Sequence, residues 1–379
     1  MVPMKQASTV NGWLFLLAMA AGFVSLLLPV GRFFLSEEAA WQQFRDGELV
    51  RRLERQVDEA FVLREPSIAL WADMNFVLFR AGRPGVLVGE NDWLFSREEF
   101  YYDHRSEQWL ARNLPQIEAV ACQLRRLDKA LLVIPVPAKR RLYSRWASHS
   151  VSAGMEQLYP RLTASLTRAG VPWLDTLTLM EVAARHEPVF MRTDTHWSPH
   201  GASAVAEGVA SRVPLSPQHA YRTQKVAEQR YQGDLLRYLP TSAGIGPQRE
   251  EVLPRYQTAS LTPAMDADAL LGDVMPSVAL VGTSYSAMDE WHFPGFLKQR
   301  LGQDVLVYAL EAQGPFAAMR EFLASPAARD ERVQQVLWEV PERALIQSME
   351  AVVEGEQHAC LEHYPDHPAE LAGVGSSGR

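Results

Sequence analysis

"VALVGTSYSAMD" (residues 278–289) passes from an apolar run into small polar residues without a break. Val278 to Gly282 reads as a strand, and Thr283-Ser284-Tyr285-Ser286 as the turn that follows it. An apolar run without alternation fits a strand of a parallel sheet covered on both faces. Similar short runs recur as "ALLVIPVP" (130–137), "VPWLD" (171–175), "PVFM" (188–191), "DVLVYAL" (304–310) and "RVQQVLWEV" (332–340).

Between them lie helix-like stretches. "SEQWLARNLPQIEAVACQLRRLD" (106–128) is one, and "MEQLYPRLTASLTRAG" (155–170) ends at a glycine suited to a helix C′ position. "SPHGASAVAEGVASRV" (198–213) opens on Ser198 and Pro199, an N-cap and N1 pair. Short apolar strands alternating with helices predict an α/β layer fold with a mostly parallel sheet. Residues 214–272 are loop-rich and yield no clear elements.

The chain has 379 residues, 47% apolar and 22% charged, with a net charge of −8. That acidity speaks against a nucleic-acid partner, which leaves a basic footprint. An acidic polysaccharide would need a local basic groove. Cys122 and Cys360 show no CxxC or metal-ligand spacing. The plain reading is two unpaired thiols, with a disulfide as the alternative.

"NGWLFLLAMAAGFVSLLLPV" (11–30) carries no charge and matches the length of a membrane-spanning helix. No small-x-small cleavage site follows closely, so an uncleaved signal anchor is favoured over a cleaved signal. The expected organisation is an anchor at 1–35, a helical juxtamembrane segment at 36–84, a catalytic domain at 85–350, and a disordered tail at 351–379.

In an open parallel sheet, ligands sit at the carboxyl ends of the strands. Three such ends carry reactive or small residues: Asp194-Thr195-His196 after "PVFM", Thr283-Ser284 after "VALVG", and Gly314-Pro315 after "DVLVYAL". A serine hydroxyl needs a base, His196 supplies one, and Asp194 holds the imidazole in the right tautomer. The order Asp, His, Ser is no objection, because such triads are defined by geometry.

Other readings compete. His196 and His200 have i, i+4 spacing, but Trp197 stands where a metalloprotease helix needs Glu, and Pro199 interrupts any helix through both. No metal is expected, and His200 is read as structural. Ser286 is the fallback nucleophile. Lys139-Arg140-Arg141 reads as solvated surface, with acidic-polymer binding as the alternative. The aromatics of "WLFSREEFYYD" (93–103) read as core rather than as a sugar platform.

Taken together, "DTHWSPHGA" (194–202) and "VGTSYS" (281–286), with "GENDWLF" (89–95), "VIPVPAKRRLY" (133–143) and "LWEVPER" (337–343), resemble the alginate O-acetyltransferase family. That family is a permuted branch of the SGNH hydrolase-like proteins, and "GTS" in place of "GDS" is a variation the branch shows. The resemblance implies a three-layer α/β/α domain with Ser284 as nucleophile, His196 as base and Asp194 as its partner. It implies an oxyanion hole from the Ser284 N–H and Gly314, with Tyr285, Trp197 and Gln313 as candidate substrate contacts.

It further implies transfer of acetyl groups to an extracytoplasmic exopolysaccharide, without a diffusible cofactor. The acetyl group would arrive from a membrane-bound O-acyltransferase partner, since acetyl-CoA is absent outside the cytoplasm. The catalytic domain would stand in the periplasm on a single inner-membrane span. The chain ends soon after "LWEVPER", as in membrane-anchored members that lack a carbohydrate-binding module. An acetylesterase with the same triad, or a non-catalytic scaffold of a secretion complex, remains the alternative.

Overall fold

The computed structural model describes residues 4–36, 45–60, 64–261 and 275–352. The chain divides into two compact units, residues 1–82 with 239–246 and residues 83–238 with 247–379. Among the described residues the first unit carries helices α1 (Met4–Ser36), α2 (Glu48–Ala60) and α3 (Arg64–Phe79). Within α1, Phe15–Phe33 has a mean hydropathy of 1.8 over 19 residues. At 1.5 Å per residue this is about 28 Å, close to the thickness of a hydrocarbon core. α1 is therefore long and apolar enough to cross a membrane, by length and composition. α3 is tied to the 239–246 segment by Asp73, whose carboxylate accepts the Ser242 N–H at 2.7 Å and its hydroxyl at 2.6 Å.

The second unit opens with a small antiparallel pair, β1 (Val86–Val88) and β2 (Leu94–Ser96). Then follow α4 (His104–Arg126), β3 (Ala130–Val136), α5 (Lys139–Leu142), α6 (Ala153–Arg168), α7 (Thr176–Ala183) and α8 (Pro199–Arg212). An antiparallel ribbon, β4 (Tyr221–Tyr231) and β5 (Glu251–Ser260), comes next. The chain closes with β6 (Val278–Gly282), α9 (Ser284–Ala287), α10 (Phe293–Leu301), β7 (Val305–Ala309), α11 (Gly314–Ala324) and β8 (Gln335–Pro341).

The central sheet runs β3-β8-β6-β7, parallel throughout. Its strands alternate between two cores, as the two-residue period of a strand requires. Leu132, Ile134, Val278, Leu280 and Leu337 face a core shared with α8 and α10. Leu131, Val133, Ala279, Val281, Val336 and Trp338 face a core shared with α4, α6 and α11. Both faces are covered, which explains the unbroken apolar runs in the sequence. The domain is the expected three-layer α/β/α arrangement.

The carboxyl ends of β6, β7 and β8 open on one edge. There Thr283-Ser284, Ala312 with Gly314, and Pro341 with Arg343 line a single cavity. In open parallel sheets this edge is where ligands commonly bind.

Four expectations change. "PVFM" is not a strand of the sheet. Phe190 makes an isolated antiparallel bridge to Trp197, so 189–198 folds back on itself as a tight loop. "VPWLD" contributes only a parallel bridge from Trp173 to Val133. The loop-rich region holds the β4–β5 ribbon, missed because its side chains are mostly exposed on both faces and carry no apolar alternation. Cys122 is disulfide-bonded rather than a free thiol, the alternative the sequence left open. The chain's other cysteine, Cys360, lies outside the described residues, as does the expected disordered tail from 353 onward.

Candidate active site

The short helix α9 begins immediately after β6, with Thr283 as its N-cap and Ser284 as its first residue. The turn rests on Glu339 of the neighbouring strand. Glu339 accepts the Thr283 N–H at 2.6 Å, the Thr283 hydroxyl at 3.0 Å and the Ser286 hydroxyl at 3.2 Å. Only glycine allows this approach at position 282, where a Cβ would lie 2.6 Å from the Glu339 carboxylate. Ser286, the fallback nucleophile, is thereby fully buried and spent on Glu339.

Ser284 instead faces the cavity, where its Oγ lies 2.7 Å from His196 Nε2. His196 Nδ1 lies 2.5 Å from Asp194 Oδ1. A carboxylate only accepts, so Nδ1 carries the proton, which leaves Nε2 bare to accept from the serine hydroxyl. Burial alone would raise the Asp194 carboxyl. The hydrogen bond and charge of His196 outweigh burial, aided by Tyr231 and the Asp234 amide, and hold it well below the usual carboxylate range. Asp194 therefore stays ionised in a position closed to water.

The loop that carries Asp194 and His196 is held from every side. Asp194 Oδ1 also accepts the His196 N–H at 2.8 Å, and Oδ2 accepts the Tyr231 hydroxyl at 2.7 Å and the Asp234 N–H at 2.8 Å. Asp234 accepts the Thr195 N–H and hydroxyl at 2.9 and 2.8 Å. Glu251 accepts the N–H groups of Arg192 and Thr193 at 2.9 and 2.8 Å. Gly233 makes the close approach possible, because a Cβ there would sit 2.2 Å from the Thr193 carbonyl carbon. A loop with its backbone groups satisfied in this way is pre-organised rather than adaptive.

Lys139 corrects the expectation of a solvated basic run. Its Nζ is buried and donates to the carbonyls of Met191, Arg192 and Asp194 at 2.9, 2.9 and 2.8 Å. Burial pulls its ammonium down to about 8, and the carboxylates around it act in the opposite direction. Arg140 and Arg141 are likewise consumed inside the protein, by Glu156 and Glu342. A run of three cations looks the same in sequence whether its partners are water or distant carbonyls.

The candidate contacts divide. Gly314 lines the cavity beside Ser284. Tyr285 and Trp197 do not; both are core residues that back the imidazole. The Tyr285 hydroxyl donates to the Thr195 carbonyl at 2.8 Å, and its ring centroid lies 4.8 Å from that of His196. The Trp197 indole N–H donates to the Tyr285 carbonyl at 3.2 Å. Gln313 is exposed and outside the cavity lining. A residue beside a reactive one in sequence can point to the opposite side, which is the reason all three differ from the expectation. Trp291, unmarked in the sequence reading, stacks on His196 at 5.3 Å with the rings 21° apart. Most of the "WLFSREEFYYD" aromatics are core: Trp93, Phe95 and Phe100 are buried.

Among the described residues, one group has the donors for a metal ion, Asp194, His196 and Asp234, with one atom of each within 4.8 Å of the others. Those side chains are already hydrogen-bonded to one another or to Thr195 and Tyr231. His200 is not part of it; its Nε2 donates to the Ala183 carbonyl at 3.1 Å.

Glu339 supplies a pH prediction. Burial raises its carboxyl to about 7, and the hydrogen bonds from Thr283 and Ser286 only partly offset this. A raised folded-state pKa contributes stability that is present below the unfolded value and lost as pH rises through the folded one. From the ordinary value near 4.5 the difference is on the order of 3 kcal/mol. Glu339→Gln removes that slope. Denaturation midpoints at pH 5 and pH 8 should converge in the variant relative to the parent, whereas parallel shifts in both proteins would contradict it.

A parallel sheet between two helical layers, with a Ser-His-Asp relay at its carboxyl edge, defines an SGNH hydrolase-like enzyme. A family model described as the SGNH hydrolase-like domain of the acetyltransferase AlgX matches residues 86–342, and the chain belongs to that family. It is 35% identical over 352 residues to the probable alginate O-acetylase AlgJ of Pseudomonas aeruginosa, covering 86% of this chain and 89% of that protein. It is 34% identical to the AlgJ of Pseudomonas syringae pv. tomato, over 85% of this chain and 86% of that one. Among solved structures, the O-acetyltransferase domain of Pseudomonas putida AlgJ superposes with a TM-score of 0.63 at 33% identity, covering 70% of this chain and 94% of that domain. The protein is an acyltransferase.

Proposed function

We propose that the protein transfers acetyl groups to hydroxyls of alginate through an acetyl-Ser284 intermediate. The observation that carries this reading is the 2.7 Å contact between Ser284 Oγ and His196 Nε2 inside a cavity of about 450 Å³. As Ser284 Oγ bonds to the acetyl carbonyl carbon, its proton passes to His196 Nε2, and Asp194 stabilises the imidazolium. The departing donor group takes that proton when the tetrahedral species collapses. A sugar hydroxyl then attacks the acetyl-serine, gives its proton to His196, and leaves with the acetyl group, returning the proton to Ser284.

The Ser284 and Gly314 N–H groups are the oxyanion donors in this scheme. Both residues line the cavity at the start of helices, and among the described residues neither N–H has an acceptor. The relatives named alginate O-acetylases supply the acceptor class. α1 serves as an uncleaved anchor that holds residues 85–350 on the periplasmic face. There a membrane-bound O-acyltransferase partner delivers the acetyl group.

The test uses the full chain in detergent with a chromogenic acetyl ester, with and without hexuronate oligomers. Acetyl release together with added acetyl mass on the oligomer is the expected result. Release into water alone, undiminished by any oligomer, identifies an esterase and overturns transfer.

A further inference from the structure

The cavity holds a cation that the proton relay does not use. Arg343 lies in the turn after β8 and lines the cavity together with Ser284 and His196. Its guanidinium sits over the Tyr285 ring, 5.9 Å from the centroid, and that ring backs His196. Among the described residues Arg343 makes neither a hydrogen bond nor an ion pair, and its nitrogens are not among the buried, unpartnered polar atoms. The carboxylates of Glu99, Glu98 and Asp234 act on its charge without a direct ion pair.

The neighbouring acids are otherwise engaged. Asp234 accepts from Thr195, Glu99 from the Arg140 N–H at 2.9 Å, and Glu98 from the Gln347 amide at 2.9 Å. The contrast with Arg140 and Arg141, each bound to glutamates, is plain. A guanidinium presents its N–H groups in a planar fork that matches a carboxylate with two parallel hydrogen bonds.

We propose that Arg343 is a carboxylate-binding subsite that reads the acid group of a hexuronate acceptor and so positions a hydroxyl of that sugar against the acetyl-serine. A hexuronate carries its carboxylate and its hydroxyls on one ring, so holding the first orients the second. The protein's net charge of −8 repels an acidic polymer at long range, and Arg343 supplies the local compensation. This inference rests on the acceptor class proposed above, and it makes the cavity selective for acidic over neutral sugars.

Binding measured without an acetyl donor keeps it separable from that reading. The full chain in detergent is titrated with hexuronate oligomers and with the same oligomers methyl-esterified, alongside Arg343→Gln and Arg343→Lys. The parent is expected to prefer the free acid. Arg343→Gln should weaken binding of the free acid by about 30-fold, as for loss of a charged, two-bonded contact, and leave the ester unchanged. Arg343→Lys keeps the charge but not the fork, so it should recover part of the loss. Equal weakening of acid and ester, or no change in either, overturns the subsite. Preferential binding of the acid by the parent, together with no acetyl mass added to the oligomer when the chromogenic acetyl ester is supplied, would instead defeat the transferase reading and leave the subsite standing.

Discussion

Ser284→Ala removes acetyl release from a chromogenic ester by about 10⁴-fold or more, while the protein remains as stable as its parent. The magnitude follows from deleting the nucleophile of a concerted unit, where what remains comes from the oxyanion donors and binding alone. The unchanged stability follows from the position. Ser284 faces the cavity, and among the described residues its hydroxyl bonds only to His196 Nε2, which can take water instead. Steady-state hydrolysis and a denaturation midpoint measured on the same preparation check both halves. Activity within tenfold of the parent would remove Ser284 from the mechanism, and Ser286, held by Glu339, offers no substitute.

Asp194→Asn is expected to lower the rate by about 10³- to 10⁴-fold. An amide of the same shape can present a donor to Nδ1, which favours the tautomer whose Nε2 carries the proton and cannot accept from serine. The substitution also removes the charge that stabilises the imidazolium. Two bonds from Tyr231 and Asp234 to Oδ2 keep the side chain in place, so the loss should fall on kcat more than on KM. The rate should recover partly at high pH, where hydroxide competes as base. A variant within tenfold of the parent at neutral pH would show that the contact is structural only.

Much of the architecture was legible because it rests on local rules. Unbroken apolar runs such as "VALVG" report a strand covered on both faces, and Ser198-Pro199 reports a helix start, here with Ser198 accepting the Gly201 N–H at 3.2 Å. Where burial failed to leave a periodic mark, the reading failed with it. The β4–β5 ribbon is mostly exposed, and "PVFM" is apolar because its loop is buried rather than because it joins the sheet.

For the site, the residue types put forward Asp194, His196 and Ser284 as candidate orienter, base and nucleophile, and only the paired motifs raised them above an ordinary turn and helix cap. Their meeting depended on the fold, because Ser284 lies 88 positions after His196. The supports were invisible for the same reason. Tyr231, Asp234 and Glu251 belong to the stretch with no readable pattern, yet they fix the loop that carries His196. Lys139 looked like surface and is bound to three carbonyls. Glu339 and Arg343 stand four residues apart in "LWEVPER", one buried beneath the nucleophile turn and the other open to the cavity. The sequence by itself determined the layers, the candidate site residues and the apolar N-terminal run. Only the tertiary structure decided which charges are spent and which are free, because desolvation and hydrogen-bond partners are set by neighbours that are remote along the chain.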